Sequence, residues 1–346
     1  MPKNKKYALA GVNIAEGDAA SKLAGKFAQS TFASRKGKLG QPVKLKNGFA
    51  GVLDFGKYYL VMGDDGVGTK MEIAEKMRKF DSLGSDLLAM VADDAVCLGA
   101  EVIAITNTLD TKKVEKKITG ELLKGLAKAC EKEQIAIAGG EIAEVGKAVN
   151  GMVWNATAIG AVEKNKVILG DKIKVGDTII ALKENGLRSN GFSLARKILE
   201  DKFGGNYCHK LFGVKKWGEL LLTPSKIYHG AMLDLLGRFE KKRVVSVKGI
   251  AHITGGGIPG NLSRILPKGL GAKLTNLWKP ASWVKELIEL GKVSEAEARE
   301  VWNLGNGMLL VVSPKDIDQT LEILRKRKVP ARIAGEITKG GKIVIS

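Results

Sequence analysis

The chain has 346 residues, of which 45% are hydrophobic, and a formal net charge of +19. That length and apolar content can bury one or two substantial cores, so we expect two α/β domains of ordinary size. No apolar run approaches the roughly 18 residues that cross a bilayer, and the basic N-terminus is not followed by the apolar region of a signal peptide. These features exclude a membrane partner and predict a cytoplasmic protein.

The positive charge is distributed along the whole sequence. Basic clusters such as 112–113, 215–216 and 241–243 lack the interleaved aromatic residues of a base-stacking surface. We therefore expect no specific nucleic acid as a partner and interpret the clusters as solvated faces, whose field also attracts an anionic small substrate. The cysteines match neither a zinc site nor a redox pair and are interpreted as reduced thiols: Cys97, Cys130 and Cys208.

The first part of the chain is weakly periodic, and its clearest predicted strands lie at 49–53 and 58–62. The second strand leads directly into Gly-Asp-Asp-Gly-Val-Gly-Thr-Lys at 63–70. Carboxylates, glycines and a lysine at a strand's end can hold a metal ion and let backbone N–H groups approach phosphate oxygens. The order of residues fits neither a Walker loop nor a dinucleotide fingerprint. It predicts a nucleotide site of another lineage, with these candidates: Gly63, Asp65, Gly66, Gly68, Thr69 and Lys70.

Helices are predicted at 71–78 and 82–98. On the second helix Asp86 and Asp93 are seven positions apart and therefore differ by only about 20° around the helix axis. Asp94 lies one position further round. Carboxylates this close are costly unless a cation or a hydrogen-bond donor meets them. We therefore expect partners for all three.

The alternation of strand and helix continues with predicted elements at 102–106, 119–133, 135–138 and 153–162. The strand at 135–138 is expected to end at Gly139, Gly140 and Glu141. Because the ligands of α/β sheets bind at the carboxyl ends of strands, these three residues are further candidates for the nucleotide site.

The charged stretch 163–166 is the predicted seam between two domains, 1–165 and 166–346. Beyond it, strands are predicted at 178–182, 272–275, 308–312, 332–337 and 342–345. Helices are predicted at 193–203, 224–239, 280–290, 294–302 and 314–327. The helix at 224–239 is expected to begin with Thr223 as N-cap and Pro224 in the first turn. Interleaved strands and helices predict layered α/β domains.

Several blocks of the sequence resemble the phosphoribosylformylglycinamidine cyclo-ligase family, also called aminoimidazole ribonucleotide synthetase. They occur in the family's order at 63–70, 84–99, 139–144, 188–194, 223–228, 249–257 and 301–308. The resemblance covers residue 11 to the C-terminus. It implies a two-domain aminoimidazole ribonucleotide synthetase-like α/β fold in a homodimer, with N-terminal domain strands of both subunits forming a barrel. The N-terminal domain would bind ATP and metal, and the C-terminal domain would complete the active site.

The reaction that the resemblance implies is the ATP-dependent cyclisation of formylglycinamidine ribonucleotide to aminoimidazole ribonucleotide in purine biosynthesis. The enzyme would be a ligase that uses ATP and Mg²⁺ on a phosphorylated small-molecule substrate. The alternatives are another phosphoryl-transfer enzyme of the superfamily, such as a thiamine-monophosphate kinase-like protein, or a non-catalytic nucleotide-binding paralogue. Selenophosphate synthetase and the hydrogenase-maturation carbamoyl dehydratase are disfavoured, because the cysteines of those families are missing.

The resemblance also implies roles for single residues. Asp65, Asp94 and Glu141 would hold Mg²⁺ against the polyphosphate, and Lys70 would neutralise phosphate charge. Asp64, Asp86 and Asp93 are either further ligands or structural acids.

Substrate binding is predicted on the C-terminal half. Arg188 would clamp a phosphate bidentately, and His252 either acts on the substrate or is structural. Ser189, Asn190 and Gly191 are candidates in a polar turn that could also be a helix cap. Gly255, Gly256 and Gly257 are candidates in a glycine-rich segment that could also be a plain turn. Asn303 is a candidate from the family match alone.

Several positions depart from the family pattern. Asp64 stands in place of threonine, Asp93 in place of asparagine and Arg188 in place of histidine, and the segment beginning at Asn107 also differs. These departures lie near the predicted active site. They indicate a divergent branch or a relative that acts on a different acceptor.

Overall fold

The structure, a computed structural model, describes residues 5–45 and 48–346 of the chain. In these ranges the fold is built on two six-stranded mixed sheets with helices packed against them. None of the helices in the same ranges is long and apolar enough to cross a membrane. The prediction of a mixed α/β architecture is confirmed.

The N-terminal half contains the first sheet. Its helices are α1 (Lys5–Leu9), α2 (Ile14–Ser30), α3 (Lys70–Met77), α4 (Leu83–Cys97) and α5 (Lys116–Glu133). Its strands are β1 (Gln41–Pro42), β2 (Gly51–Phe55), β3 (Tyr58–Gly66), β4 (Glu101–Thr111), β5 (Ala136–Glu144) and β6 (Met152–Glu163).

The first sheet has the strand order β1-β2-β3-β6-β4-β5. Neighbours are antiparallel except β4 and β5, which are parallel and are connected through α5. Because side chains alternate along a strand, one face of the sheet is buried under α4 and the other stays open. Val61 is fully buried on the inner face, whereas Met62 and Val153 are exposed on the outer face.

The C-terminal half contains the second sheet. Its strands are β7 (Thr178–Lys183), β8 (Leu211–Phe212), β9 (Lys215–Lys216), β10 (Val247–His252), β11 (Leu270–Leu274), β12 (Asn306–Val312), β13 (Ala331–Lys339) and β14 (Ile343–Ile345). Its helices are α6 (Phe192–Phe203), α7 (Trp217–Leu221), α8 (His229–Leu236), α9 (Gly257–Ile265), α10 (Ser282–Leu290), α11 (Glu295–Val301) and α12 (Ile317–Lys326).

The second sheet has the order β10-β12-β7-β13-β11-β14, and β8 and β9 form a separate hairpin. Its neighbours are antiparallel except β11 and β14. The interior strand β12 is buried at every residue, which explains its continuous apolar sequence after Gly307. Helices cover both faces of this sheet, with α8 and α12 on one side and α9 on the other.

Helix α4 connects the two halves. It packs against β3 and β6 of the first sheet and also contacts α8 and β10 of the second half. Almost the whole helix is buried, including Asp86 and Asp93, whereas the side chain of Asp94 is 22% exposed. The candidate site is built around this helix.

Two glycine-containing segments differ from the sequence-based prediction. Gly63–Gly66 does not follow β3 but forms its end, paired with β6 down to Gly66 and Asn155. Likewise Gly139, Gly140 and Glu141 lie inside β5, paired with β4. The ladder hydrogen bonds of a neighbouring strand compensate for the weak strand propensity of glycine at both places.

The predicted helix at 224–239 is wrong in its first turn. Residues 224–228 lie outside any helix, and α8 begins only at His229 and ends at Leu236. Their backbone N–H groups are bound by remote carboxylates: Ser225 donates to Asp86 at 2.8 Å and Tyr228 donates to Asp93 at 2.9 Å. Tertiary hydrogen bonds therefore replace the helical ones.

Candidate active site

Asp65 occupies the next-to-last position of β3, on the inner face that α4 covers. Its Oδ1 accepts a hydrogen bond from Gly66 N at 2.7 Å. Burial raises the pKa of Asp65 to about 6, and the nearby charges of Asp94 and Asp64 add to that increase. Asp64 lies on the opposite, outer face, where Thr157 Oγ1 donates to it at 2.5 Å. The period of the strand thus separates the two neighbouring acids.

Asp94 on α4 is paired with His252 at the end of β10. The Asp94 Oδ1 and His252 Nδ1 atoms are 2.7 Å apart. Burial raises the pKa of Asp94 to about 7, against the opposing charges of Arg264 and Arg188. Burial also lowers the pKa of His252 to about 3, with a further contribution from Arg188. His252 is therefore neutral, and when Asp94 is ionised the imidazole donates from Nδ1 to the carboxylate and keeps Nε2 as an acceptor.

Lys70 does not point to a phosphate site in this structure. Its side chain is fully buried, with Nζ 2.8 Å from Asp86 Oδ1 and 2.7 Å from the Thr223 carbonyl oxygen. Ser225 Oγ also donates to Asp86, at 2.5 Å. The predicted role of Lys70 in neutralising phosphate charge does not fit this geometry, because its ammonium group is already held by protein acceptors.

Arg188 is also buried, at the junction between α4 and the second half. Its guanidinium lies 2.7 Å from Asp93 Oδ2 and 2.9 Å from Glu184 Oε2, and it donates to the Lys226 carbonyl oxygen at 2.9 Å. Burial opposes the charge, but Asp93 and Glu184 raise the pKa of Arg188 above its ordinary value. The prediction that Arg188 clamps a substrate phosphate is therefore replaced by an internal ion cluster.

The two departures from the family pattern at Asp93 and Arg188 are in direct contact. The aspartate that stands in place of asparagine accepts a hydrogen bond from the arginine that stands in place of histidine. Asp93 Oδ1 additionally accepts from Tyr228 N and His229 N, both at 2.9 Å. The third carboxylate of α4, Asp94, remains next to this cluster.

Segments of both halves converge near Asp65 and Asp94. A Cβ added at Gly68 would lie 3.5 Å from the Ser189 carbonyl oxygen, and one at Gly255 would lie 3.7 Å from Asn190 Nδ2. The loop after β3, the turn at 189–190 and the glycine-rich segment are therefore neighbours. Among the described residues, several buried polar atoms at this junction have no hydrogen-bond partner: Ser189 Oγ, Asn190 Oδ1 and His252 Nε2. Such atoms commonly bind a ligand or water.

The segment Gly255–Gly257 is held from behind by Asn261. Asn261 is fully buried, and its Nδ2 donates to the carbonyl oxygens of Gly255 at 3.1 Å and Gly257 at 2.8 Å. Gly256 and Gly257 have positive φ, with Gly256 at 88°. A Cβ at Gly257 would overlap the Arg299 carbonyl oxygen. Only glycine fits at 257, where the N–H donates to the Thr254 carbonyl oxygen at 3.0 Å. Gly255 and Gly256 are not buried, and their backbone is accessible to an anion.

Glu141 is not brought together with Asp65 and Asp94 within one chain. Register places it beside Thr108 of β4 on the outer face, and three strand spacings of about 4.8 Å each separate β5 from β3. In the part of the chain that the structure describes, no group of three or more acidic, histidine or cysteine side chains is arranged to hold a metal ion. The predicted three-carboxylate metal site is therefore incomplete in the single chain. Gly139 and Gly140 lie on the same strand as Glu141, so β6 and β4 also separate them from β3 and Asp65.

Asn303 also has a structural position. Its Nδ2 donates to the Gly186 carbonyl oxygen at 2.9 Å, and its Oδ1 accepts from Gly305 N at 2.8 Å. The side chain is buried and its amide is used inside the protein. A direct contact to substrate, predicted from the family match alone, does not fit these bonds.

Sequence reasoning missed two residues of α9. Asn261 was detectable, because it interrupts the apolar stripe of Ile258, Leu262 and Ile265. Arg264 is exposed, and its charge acts on both Asp94 and His252. Nothing in the local sequence connects Arg264 with acids on a helix some 170 positions earlier.

The arrangement can bind a polyanion together with a cation. A hard cation such as Mg²⁺, which prefers oxygen ligands, would stabilise the charged forms of Asp65 and Asp94, whose pKa values are raised. The glycine-rich turn and the charge of Arg264 favour phosphate nearby. The donor set therefore fits a metal–nucleotide complex better than a bare metal ion, since two acids leave coordination positions for phosphate oxygens.

The comparisons with known proteins agree with this geometry. The family model "AIR synthase related protein, N-terminal domain" matches residues 48–162, and "AIR synthase related protein, C-terminal domain" matches residues 174–346. Fold and site therefore define an AIR synthase related protein. Similar solved structures include a chain of the HypE–HypF complex, with a TM-score of 0.63 and 18% identity, covering 86% of this chain and 90% of that one. PurLQS from Thermotoga maritima has a TM-score of 0.56 and 16% identity, covering 92% of this chain and 46% of that one.

Curated relatives are more specific. Phosphoribosylformylglycinamidine cyclo-ligase of Pyrococcus furiosus is 41% identical over 320 residues, which are 92% of this chain and 91% of the relative. The enzyme of Methanocaldococcus jannaschii with the same name is 36% identical over 343 residues, 98% of this chain and 95% of the relative. The chain belongs to the phosphoribosylformylglycinamidine cyclo-ligase family, and the resemblance inferred from the motif blocks is confirmed.

Proposed function

We propose that this chain is an ATP-dependent cyclo-ligase that converts formylglycinamidine ribonucleotide to aminoimidazole ribonucleotide, with release of ADP and phosphate, in purine biosynthesis. The names and near-complete coverage of its relatives support this reaction. The structural observation that carries the proposal is the convergence of Asp65, the Asp94–His252 pair and the glycine-rich turn.

The chemistry follows from the poor leaving ability of an amide oxygen. Transfer of the ATP γ-phosphoryl group to that oxygen gives an imidoyl phosphate and ADP. A nearby amine nitrogen then attacks the activated carbon, closes the ring, loses a proton and expels phosphate. Such a reaction depends mainly on positioning and charge neutralisation.

Asp65 and Asp94 would hold Mg²⁺, which supplies charge neutralisation at the phosphates when bound. His252 then orients Asp94 through Nδ1, as second partners of metal ligands commonly do. The Nε2 atom of His252, which has no partner among the described residues, would accept a hydrogen bond from formylglycinamidine ribonucleotide. Ser189, Asn190 and the N–H groups of Gly255 and Gly256 would bind the phosphate or hydroxyl groups of the substrate.

We also propose the homodimer with a barrel across its interface. β5 is an edge strand with an exposed outer face, and an open edge of this length usually pairs or is covered. Glu141 lies on that face, so in a dimer it would point toward the partner subunit. The first sheet ends at Glu163 and the second begins at Thr178, and we propose the domains 1–165 and 166–346 on that basis.

The direct test is turnover. Purified protein with ATP, Mg²⁺ and formylglycinamidine ribonucleotide should release phosphate and give a positive colorimetric reaction for aminoimidazole ribonucleotide. Asp65→Asn and Asp94→Asn should each abolish both signals. Asp201→Asn, which removes an exposed carboxylate paired with Lys197, should not change the rate.

Different results lead to different conclusions. Phosphate release only with another acceptor would retain the superfamily chemistry and reject the named reaction. Nucleotide binding without any turnover would indicate a non-catalytic paralogue. Full activity of Asp65→Asn would contradict the proposed site.

A further inference from the structure

A cavity separate from the candidate active site lies in the C-terminal half, between the second sheet and helices α10 and α11. Its volume is about 640 Å³, within the range of about 300–1,000 Å³ that is usual for small-molecule sites. Asp65, Asp94 and His252 do not line it. We name it the Trp278 cavity, after one of its lining residues: Leu277, Trp278, Ile288, Arg299, Trp302 and Arg332.

Trp278 presents a rigid ring in this cavity. Its Nε1 donates to the Ala181 carbonyl oxygen at 2.9 Å. Its backbone is fixed by Asn306, whose Oδ1 accepts from Trp278 N at 2.9 Å and whose Nδ2 donates to Trp278 O at 3.1 Å. The guanidinium of Arg332 lies 3.5 Å from the centre of the indole. A planar guanidinium stacked on an indole offers a flat cationic surface for a planar ligand.

The charges of the lining favour an anion. Arg299 is neutralised by Glu295, at 2.5 Å. Arg332 donates only to the neutral Asn276, at 3.2 Å. Within residues 5–45 and 48–346, neither Arg332 nor Lys279 has a carboxylate in salt-bridge contact. The positive charges of these two side chains outnumber the one negative charge of the Ser346 α-carboxylate at the same cavity. Lys279 is exposed at the rim and can reach a phosphate.

The wall of the Trp278 cavity is continuous with the candidate active site. Trp302 Nε1 donates to the Gly191 carbonyl oxygen at 3.3 Å, directly after Ser189 and Asn190. The backbone of Arg299 touches Gly257 of the glycine-rich turn so closely that no Cβ fits between them. A ligand that shifts α11 would therefore also shift the turn at 189–191 and the glycine-rich segment at 255–257.

We propose that the Trp278 cavity is a second ligand site, which binds a nucleoside 5′-monophosphate and couples it to the active site through Trp302 and Arg299. The base would lie against Arg332 and the apolar residues, and the phosphate would be bound by Lys279. The same chemistry, a flat ring system joined to a 5′-phosphoribosyl group, also occurs in the product of the proposed reaction and, in open-chain form, in its acceptor. The site is distinct from the proposed ATP site.

The test is a binding measurement that needs no turnover. The full chain, saturated with a non-hydrolysable ATP analogue and Mg²⁺, is titrated calorimetrically with adenosine and inosine 5′-monophosphate. We expect one further site per chain with a Kd below about 1 mM. Lys279→Ala and Arg332→Ala should each weaken binding at least about tenfold, the usual scale for loss of a charge-assisted contact.

Two controls separate this site from others. Lys285→Ala removes an exposed lysine of α10 that does not line the cavity, and Asp65→Asn alters only the proposed ATP site. Both should bind the monophosphate as the wild type does, while Lys279→Ala should also lose any effect of the monophosphate on the KM of the acceptor.

No binding to the wild type at several millimolar, or equal binding by Lys279→Ala and Arg332→Ala, would overturn the proposal. Strict competition between the monophosphate and formylglycinamidine ribonucleotide would also overturn it, because the cavity would then belong to the acceptor. Since these results are independent of catalysis, a protein without cyclo-ligase activity could still confirm the second site.

Discussion

At the scale of single residues, the buried charges of α4 are arranged as separate pairs. Asp86 meets Lys70, Asp93 meets Arg188 and Asp94 meets His252. The first two acids bind the non-helical segment at 224–228 and the domain junction, and only the third remains next to Asp65. One helix thus supplies both the internal ion pairs that fix the junction and one acid of the candidate site.

Arg188→Met should strongly destabilise the protein. The substitution leaves Asp93 and Glu184 buried without their common cation, which typically costs about 3–5 kcal/mol. Adding Asp93→Asn in the same chain should restore part of the loss, because the asparagine still accepts from Tyr228 N and His229 N. Chemical denaturation monitored by circular dichroism measures the free energy of unfolding.

The matched control for that prediction is Lys326→Leu. Lys326 forms an exposed ion pair with Glu322, and exposed pairs contribute at most about 1 kcal/mol. A loss in Arg188→Met no larger than in Lys326→Leu would show that the internal cluster is not a stabilising contact. No rescue by the second substitution would show that Asp93 is not the partner that matters.

Asp94 predicts a pH dependence of stability. Without metal or nucleotide its pKa is raised to about 7, so the folded state holds a proton that the unfolded state releases near the ordinary value. The free energy of unfolding should therefore decrease as pH rises from about 4 to about 7, the interval between the ordinary and the raised pKa, and should level off above about 8. Asp94→Asn should flatten this slope and Asp201→Asn should not. Thermal unfolding at several pH values is the measurement, and an unchanged slope in Asp94→Asn would contradict it.

The acids of the site were predictable from sequence, whereas their partners were not. The seven-residue spacing on an apolar helix indicated that Asp86 and Asp93 needed donors. Lys70, the cation that meets Asp86, lies 16 positions earlier in the chain, whereas Arg188 and Ser225 lie 95 and 139 positions after the acids that they bind. No local pattern identifies partners at those distances. For the same reason Lys70 and Arg188 appeared to be free to bind phosphate. The ligand roles of Asp65, Asp94 and the substrate-binding turn stay predictions.

At the scale of elements, α4 and α5 approach closely through two glycines. A Cβ at Gly84 would overlap the backbone at Gly125 and Leu126, and a Cβ at Gly125 would overlap the Asp81 carbonyl oxygen. Because the helices have no room for a methyl group, their sequence fixes the position of α4 relative to α5. That position also sets where Asp94 lies above the sheet.

Gly84→Ala should therefore destabilise the protein by about 1–3 kcal/mol, the usual cost of overpacking a core. Gly120→Ala is the internal control, since Gly120 lies on α5 with open space around its Cα, and alanine there should stabilise by about 0.5–1 kcal/mol. Opposite signs for the two glycine-to-alanine substitutions in denaturant unfolding are the expected outcome. Equal effects would mean that helix propensity, and not the crossing, determines both.

Element prediction succeeded where periodicity and burial agreed. The apolar stripe of α4 and the end at Gly99 gave its bounds within one residue at each end. Helix α2 was missed because its side chains, where described, are largely exposed and have no strong apolar stripe. Ser294 and Glu297 at the start of α11 have the spacing of a capping box, but only half of that motif forms: Ser294 Oγ accepts from Glu297 N at 3.2 Å, whereas the Glu297 carboxylate accepts from Tyr7 N at 2.8 Å.

At the scale of the whole molecule, the outer face of the first sheet has no cover within the described residues. Met62, Ile103 and Val153 are 36%, 50% and 43% exposed on it or beside it. The alternation of side chains along the strands does not by itself identify this face as an interface. Exposed apolar residues on a sheet belong either to an interface or to scattered surface positions. The family resemblance, and not the pattern, provided the expectation of a dimer.

Val153→Lys should convert the proposed dimer to a monomer of 37.0 kDa, the mass of one chain. Val153 lies on the outer face near the start of β6, an interior strand of the sheet, and a buried, unpaired ammonium group is costly in an interface that must cover about 1,000 Å² or more. Val214→Lys makes the same change at an apolar residue that is 96% exposed in the β8–β9 hairpin, and it should stay dimeric. Light scattering coupled to size exclusion gives the mass. A wild-type chain that is already monomeric, or a dimeric Val153→Lys, would mean that the outer face is not the interface.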